Sequence, residues 1–376
     1  MAATVTVSAK ASATSARYGE AVWVTGIVHR GSKVAKNAVV GLRIQKSGAS
    51  TWTTIATTRT SSTGGYSFPV KPTATARYYV RAAPTSSTAA VRSAIVKIER
   101  TVGARTLEAR AKLLGTRLGS PSGVVKSLGR SSSFADSTVT SVRYRSYSKG
   151  MLVEVHRSGT TRTWFVPGKI RDRFVSTGGV KGTFGVPRAD ATCTSIESGC
   201  TQQFSKVAAY ASSTTKKAHY QAGTTRRSQL LAVVRSQVGY AEPSWRKSKY
   251  NTWVGANNAW CGVFQSWVAA ASGNPELVPR RTTFPSFVSA VKKELLTYSK
   301  SSTKHKPRAG TLVFFAFKTA HPNTASHVGL VLSVKGSKVT VIEGNSSKGS
   351  VFTDDRGVYI HTRSTASVLF YAEPDW

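Results

Sequence analysis

The stretch Ala259-Trp260-Cys261-Gly262-Val263-Phe264-Gln265-Ser266-Trp267-Val268 puts a lone cysteine at the head of an apolar run. Its apolar spacing predicts a buried helix with Cys261 in the first turn. Backbone N–H groups without intrahelical partners and the positive helix end make that turn attractive to negative charge, a setting that suits a sulfur nucleophile. Upstream, Leu230, Leu231, Val233, Val234 and Val238 predict a helix that opens near Ser228 and stops at Gly239; Tyr240 to Asn258 reads as a loop. Downstream, Ser326-His327-Val328-Gly329-Leu330-Val331-Leu332-Ser333 reads as a buried strand with His327 at its mouth. The next strand, Lys338-Val-Thr-Val-Ile342, ends in Glu343-Gly344-Asn345. A thiol, an imidazole and a polar orienter therefore follow one another on a helix and two consecutive strands, the set that nucleophilic catalysis requires. Taken singly, a strand histidine or a buried cysteine is more often structural than catalytic, and only the constellation raises the odds. Glu343 and Asn345 both stand as the third member.

The remaining cysteines, Cys193 and Cys200, enclose six residues including the turn-forming Gly199. That spacing brings two Cβ atoms within disulfide reach, so a hairpin clip is expected, with two unpaired core residues as the alternative. No other Cys or His nearby shows ligand spacing, and no metal is expected. A disulfide implies an oxidising, extracytoplasmic place, where an odd thiol such as Cys261 is either reactive or well buried.

The 376 residues carry 53 Lys plus Arg against 16 Asp plus Glu, a net charge of +37. Counted over 1–98, 99–228 and 229–376, basic residues outnumber acidic ones 13 to 1, 22 to 7 and 18 to 8. An excess spread along the whole chain suits work against a polyanionic matrix better than a nucleic-acid tail does, and no recognisable nucleic-acid motif accompanies it. Apolar runs such as Gly310 to Phe317 are far shorter than a membrane span of about 20 residues. Met1-Ala2-Ala3-Thr4 leads straight into an alternating strand pattern, so an exported form is expected to have had its signal trimmed or replaced.

Residues 1–98 alternate apolar and polar side chains in short runs, as in Ala21-Val22-Trp23-Val24-Thr25, between Gly, Pro and Asn turns. Seven or so such strands argue for a β-sandwich acting as spacer or adhesion module. Residues 99–225 hold a repeat. Leu118-Gly-Ser-Pro121, Tyr147-Ser-Lys-Gly150, Trp164-Phe165 and Gly168 match in layout Phe184-Gly-Val-Pro187, Gln203-Phe-Ser-Lys206, Tyr220 and Gly223. Each copy is too small to close a core alone.

Gly65-Tyr-Ser-Phe-Pro-Val70 and Tyr78-Tyr-Val-Arg-Ala82 resemble the later strands of bacterial immunoglobulin-like or fibronectin-like modules. Ile170 to Phe174, Gly178-Gly179, Phe184 to Pro187, the cysteine pair and Gln203-Phe-Ser205 resemble the LGFP repeat of actinobacterial wall proteins, which implies anchorage to peptidoglycan or its attached glycans. Trp260-Cys261-Gly262, Pro307-Arg-Ala-Gly-Thr-Leu-Val-Phe-Phe315, His327-Val-Gly-Leu-Val331 and Ile342-Glu-Gly-Asn345 resemble the CHAP family of cysteine- and histidine-dependent amidohydrolases and peptidases over residues 226–376. The resemblance implies an α+β papain-like domain in which Cys261 is nucleophile, His327 base and then acid, and Glu343 and Asn345 the polar members. Trp260 and Tyr240 are expected to contact substrate. Where relatives often read Gly-Asp this chain has Gly310-Thr311; some relatives bind calcium upstream of the cysteine, but Tyr240 to Trp260 offers only Glu242, so no calcium and no cofactor is expected.

The expected whole is a multidomain chain: a sandwich, two wall-binding repeats and a catalytic domain. The expected protein is secreted and wall-associated, with peptidoglycan and anionic wall polymers as partners and no membrane span or specific nucleic acid. A wall-binding protein with a degenerate hydrolase domain is the alternative.

Overall fold

In the strand Val22–Arg30 the alternation turns Val22, Val24 and Val28 inward and Trp23 and Thr25 outward. This strand pairs with Val5–Val7, Lys10–Ala11, Lys33–Val34 and Gly65–Val70. Val39–Lys46, Thr53–Arg59, Ala76–Ala82, Val91–Arg92, Val96–Arg100 and Ser15–Ala16 make a second sheet. One apolar cluster draws Val24 and Phe68 from the first sheet and Leu42, Val80 and Ile98 from the second, so the two sheets form a sandwich. The computed structural model describes residues 4–376 except 17–20, 47–48, 73, 84–89, 101–105, 318–320 and 350–355. The chain divides into two units, Met1–Leu113 and Leu114–Trp376.

The second unit begins with the repeat, and both copies make the same bonds. Lys149 N donates to Leu118 O at 3.0 Å, as Lys206 N does to Phe184 O at 3.1 Å. Ser120 N donates to Ser148 Oγ at 3.1 Å, as Val186 N does to Ser205 Oγ at 3.0 Å. Gly168 N donates to Lys149 O and Gly223 N to Lys206 O, each closing a copy just ahead of a helix. Gly119 and Gly185 have φ of +71° and +73°, and a Cβ at either would collide with the serine that caps the turn. Each copy is thus a four-stranded antiparallel sheet followed by a helix, Gly168–Ser176 or Arg226–Ser236. They share one core, where Val142, Val153 and Phe174 of the first meet Phe184, Phe204 and Val207 of the second. Most of the repeat's aromatics are spent on that packing. A disulfide joins Cys193 to Cys200 across a hairpin of the second sheet.

The helix Arg226–Ser236 is buried from Ser228 to Val234. It lies against strands Val207–Ala211 and His219–Ala222 while Leu230, Leu231, Val233 and Val234 join the core that follows. Residue 225, expected as a domain edge, therefore lies inside one unit, because the helix that closes the second copy packs on that copy's strands and buries its apolar side chains in the core that follows. The last six strands form one antiparallel sheet in the order Leu296–Ser299, Val368–Glu373, Leu312–Phe315, His327–Lys335, Lys338–Ser346, Gly357–Ser364. Apolar clusters cover both of its faces, which explains continuous runs such as Leu312–Phe315. Helices Cys261–Ala271 and Phe284–Glu294 pack on it, and Lys249–Val254 packs on Cys261–Ala271.

The expected loop from Tyr240 to Asn258 contains one of these helices. Ser248 caps Lys249–Val254 by accepting from Asn251 N, Gly255 ends it at φ +76°, and Tyr250 and Val254 bury one side of it. Its first residue ties the unit together. Lys249 Nζ lies 2.7 Å from Glu197 Oε1 in the disulfide hairpin and about 5 Å from the ring centres of Tyr240, Tyr250 and Trp267. Lys249→Met is expected to lower the unfolding free energy by about 1–2 kcal/mol, because the ion pair is partly sheltered and the ammonium stacks on aromatic faces. Urea denaturation checks this, and a loss under about 0.3 kcal/mol would mean the clamp is idle.

Candidate active site

Cys261 opens the helix Cys261–Ala271, with Trp260 at its N-cap and no side chain bonding to the first turn. Strand Lys338–Ser346 reaches this helix end because Gly344 has no Cβ: one built there would stand 2.6 Å from the Phe264 ring. The strand also runs further than expected. It continues to Ser346, with Glu343 inside it opposite Gly329 and Tyr359, and a bulge falls between Gly344 and Ser346. Asn345 is the bulged residue, in a left-handed conformation at φ +56°. An extended register would have hidden alternate side chains, whereas the bulge turns Asn345 into the wall of a cleft it shares with Cys261 and His327.

His327 hydrogen-bonds to Cys261 and its Nε2 lies 3.1 Å from Glu343 Oε2, which leaves Nδ1 as the nitrogen for the sulfur. Glu343, rather than Asn345, is thus the carboxylate at the imidazole. It is wholly buried and accepts from Arg363 Nε at 2.9 Å, Arg363 Nη2 at 2.7 Å and Ser346 Oγ at 3.0 Å. His361 Nε2 sits 3.0 Å from the same serine oxygen. Burial drives the Glu343 carboxyl up, but the His327 charge and the Arg363 hydrogen bonds overcome it and hold the group well below the carboxylate range. Burial likewise disfavours the His327 imidazolium, yet the Glu343 charge and the hydrogen bonds to Cys261 and Glu343 raise it to about 10.

These shifts set a pH dependence. A raised histidine stabilises the fold fully below its unfolded value of about 6.5 and loses that contribution as pH climbs through about 10. A lowered carboxylate contributes above about 4.3 and is lost as acid protonates it. The pair is therefore worth most between about pH 4.3 and 6.5. Thermal melts should show the midpoint falling from pH 6.5 to 10, and His327→Gln should flatten that decline; equal slopes would remove the ion pair from the account.

The two aromatic residues expected to touch substrate do not face the cleft. The Trp260 side chain is fully buried, stacked on Tyr250 at 5.0 Å, and its Nε1 donates to Glu242 Oε2 at 2.7 Å. Tyr240 packs edge-on to Tyr250 and its hydroxyl accepts from Lys249 N. Both brace the cysteine helix, because aromatics beside a helix start are drawn into its core. The cleft, of about 390 Å³, is instead walled by Trp245, Arg246, Phe284, Phe317 and Arg356 around Cys261, His327 and Asn345. Sequence spacing missed these five and also Arg363, although a buried Glu343 demands a cation and so points to one. Thr311 is structural: its Oγ1 donates to Glu373 Oε2 at 2.6 Å.

Among the described residues, no group of three or more His, Cys, Asp or Glu is placed to hold a metal ion, and no helix is long and apolar enough to cross a membrane. No protein-family model and no curated protein matches the chain. Among solved structures it is similar to a superoxide reductase (neelaredoxin) from Ignicoccus hospitalis at 12% identity, covering 25% of this chain and 79% of that one with a TM-score of 0.21. It is similar also to the D00-D0 domain of intimin at 20% identity, covering 26% of this chain and 49% of that one, TM-score 0.21. The sulfur carrier protein SoxY from Chlorobium limicola f thiosulfatophilum matches at 15% identity, covering 26% and 79%, TM-score 0.18.

Proposed function

We propose that the chain is a secreted cysteine hydrolase of peptidoglycan, cleaving an amide of the stem peptide or cross-bridge, with a papain-like catalytic region of the CHAP type. The observation that carries this reading is Cys261 at an uncapped helix start, hydrogen-bonded to a histidine whose other nitrogen meets a buried carboxylate. The sulfur attacks the amide carbonyl carbon while His327 holds the thiol proton. First-turn N–H groups receive the developing oxyanion, and the C–N bond breaks as His327 passes the proton to the leaving amine. Water, giving a proton back to His327, then hydrolyses the thioester. Glu343 keeps the imidazole oriented and charged.

The immunoglobulin-like sandwich and the LGFP-like repeats serve in this reading as wall-targeting modules, and the charge of +37 suits anionic wall polymers. Mass spectrometry of fragments released from purified peptidoglycan tests it. Soluble muropeptides made by the untreated protein and lost after iodoacetamide treatment support a cysteine hydrolase, and their masses name the bond. Wall pelleting without any released fragment would replace it by the reading of a binding protein.

A further inference from the structure

Glu343 and Ser346 lie three residues apart on one strand and would point to opposite faces of it if the strand were regular. The bulge at Asn345 cancels that alternation, so both side chains reach one place and Ser346 Oγ comes to 3.0 Å from Glu343 Oε2. An ionised carboxylate only accepts, so the single hydroxyl hydrogen of Ser346 is spent on it. Ser346 Oγ is then the acceptor at 3.0 Å from His361 Nε2, which puts a hydrogen on that nitrogen. A line of donors thus runs from His361 through Ser346 to Oε2, the same oxygen that meets His327 Nε2. Ser346 is 1% exposed, whereas the His361 side chain is 11% exposed and within reach of a solvent proton. Among the described residues, the charged and titratable groups about His361 are Glu343 at 4.0 Å on the facing strand, His327 one strand beyond, and Arg363 and Tyr359 on its own strand. Burial disfavours the His361 imidazolium, the Glu343 charge and a bond to the Ser347 backbone favour it, the Arg363 and His327 charges oppose it, and the balance lies below the ordinary imidazole value. A charged His361 would share the Glu343 charge with His327 and repel its imidazolium.

We propose that His361 is a positioning residue for the cysteine–histidine pair: neutral, it holds Ser346 and through it Glu343 in the place that orients His327, and charged, it slackens that hold. The inference rests on the hydrolase reading only for the reaction the pair performs, so its first readout needs no substrate. Iodoacetamide alkylates the Cys261 sulfur with loss of iodide and of the thiol proton, and the rate reports the state of the pair. His361→Leu removes the donor, and His361→Gln puts an amide N–H in its place; circular dichroism checks both folds. At about pH 7.5 the Leu variant should react about fivefold more slowly than wild type, and Gln should recover most of that loss, as one hydrogen bond would. Between about pH 7.5 and 5, across the ordinary imidazole range, the ratio of the wild-type rate to the Gln rate should fall about threefold or more, because only the wild type gains the charge. On muropeptides the same ratio should appear in kcat and leave KM alone, as for a group that touches no substrate. A wild-type rate in the Leu variant, equal losses in Leu and Gln, or a ratio constant with pH would each overturn the role, and the pH ratio decides alone if the Leu variant does not fold. The expected alkylation pattern with no muropeptide released keeps the role and sinks the hydrolase reading.

Discussion

Cys261→Ala is expected to lower kcat/KM for muropeptide release by about four orders of magnitude or more, to the level left by binding and the oxyanion donors. The reason is positional. The sulfur is the first residue of a helix whose opening amides are not spent on a side-chain cap, and it shares a hydrogen bond with an imidazole that carries its proton up to about pH 10. Cys261→Ser should be nearly as poor, since a hydroxyl beside an imidazolium keeps its proton while a thiol gives its own up. His327→Ala should cost a similar factor, and the double variant little more than either single one, because residues acting as one machine lose its whole output together. Steady-state release of defined muropeptides measures all four proteins. Retained activity in Cys261→Ala, with folding confirmed by thermal melting, would remove the cysteine from the chemistry.

Arg363→Met is expected to destabilise the second unit by about 3–5 kcal/mol. Glu343 is wholly buried, and Arg363 supplies two of its hydrogen bonds at 2.7 and 2.9 Å. Withdrawing the guanidinium leaves a carboxylate out of water with the imidazolium and one hydroxyl for company. Glu343→Gln in the same chain should recover part of the loss, with a coupling of about 1–3 kcal/mol in the double-mutant cycle. Activity should fall too, but through a histidine that loses its charge and direction rather than through lost substrate contact, so kcat should drop more than KM rises. Equilibrium denaturation in urea gives the stability figures. A change below about 1 kcal/mol would show that Glu343 does not depend on this partner.

Much of the second unit was legible because the deciding signals are local. The apolar run after Cys261 makes a helix wherever it lies, and the alternating and continuous apolar runs from Leu312 to Ile342 make strands. The repeat was legible for the same reason: Gly-x-Pro and the Ser-Lys pair each form one turn from neighbouring residues, and the two copies repeat the bonds between them. The helix Lys249–Val254 was missed although Ser248 and Gly255 mark both its ends, because six residues carry too little periodicity to stand out from a polar loop.

By itself the sequence determined which side chains could carry chemistry: a cysteine at a helix start, a histidine at a strand mouth and a carboxylate sixteen residues on. Those are properties of order and spacing along the chain. Only the tertiary structure decided which groups meet. It set Glu343 rather than Asn345 against the imidazole, brought Arg363 to Glu343 from the neighbouring strand, and sent Trp260 and Tyr240 into the core while Trp245, Arg246 and Arg356 took the cleft. The physical reason is that a bulge at Asn345, the missing Cβ of Gly344 and the burial of a charge act across strands and helices. Their effects depend on what is packed opposite, which spacing along one chain does not state.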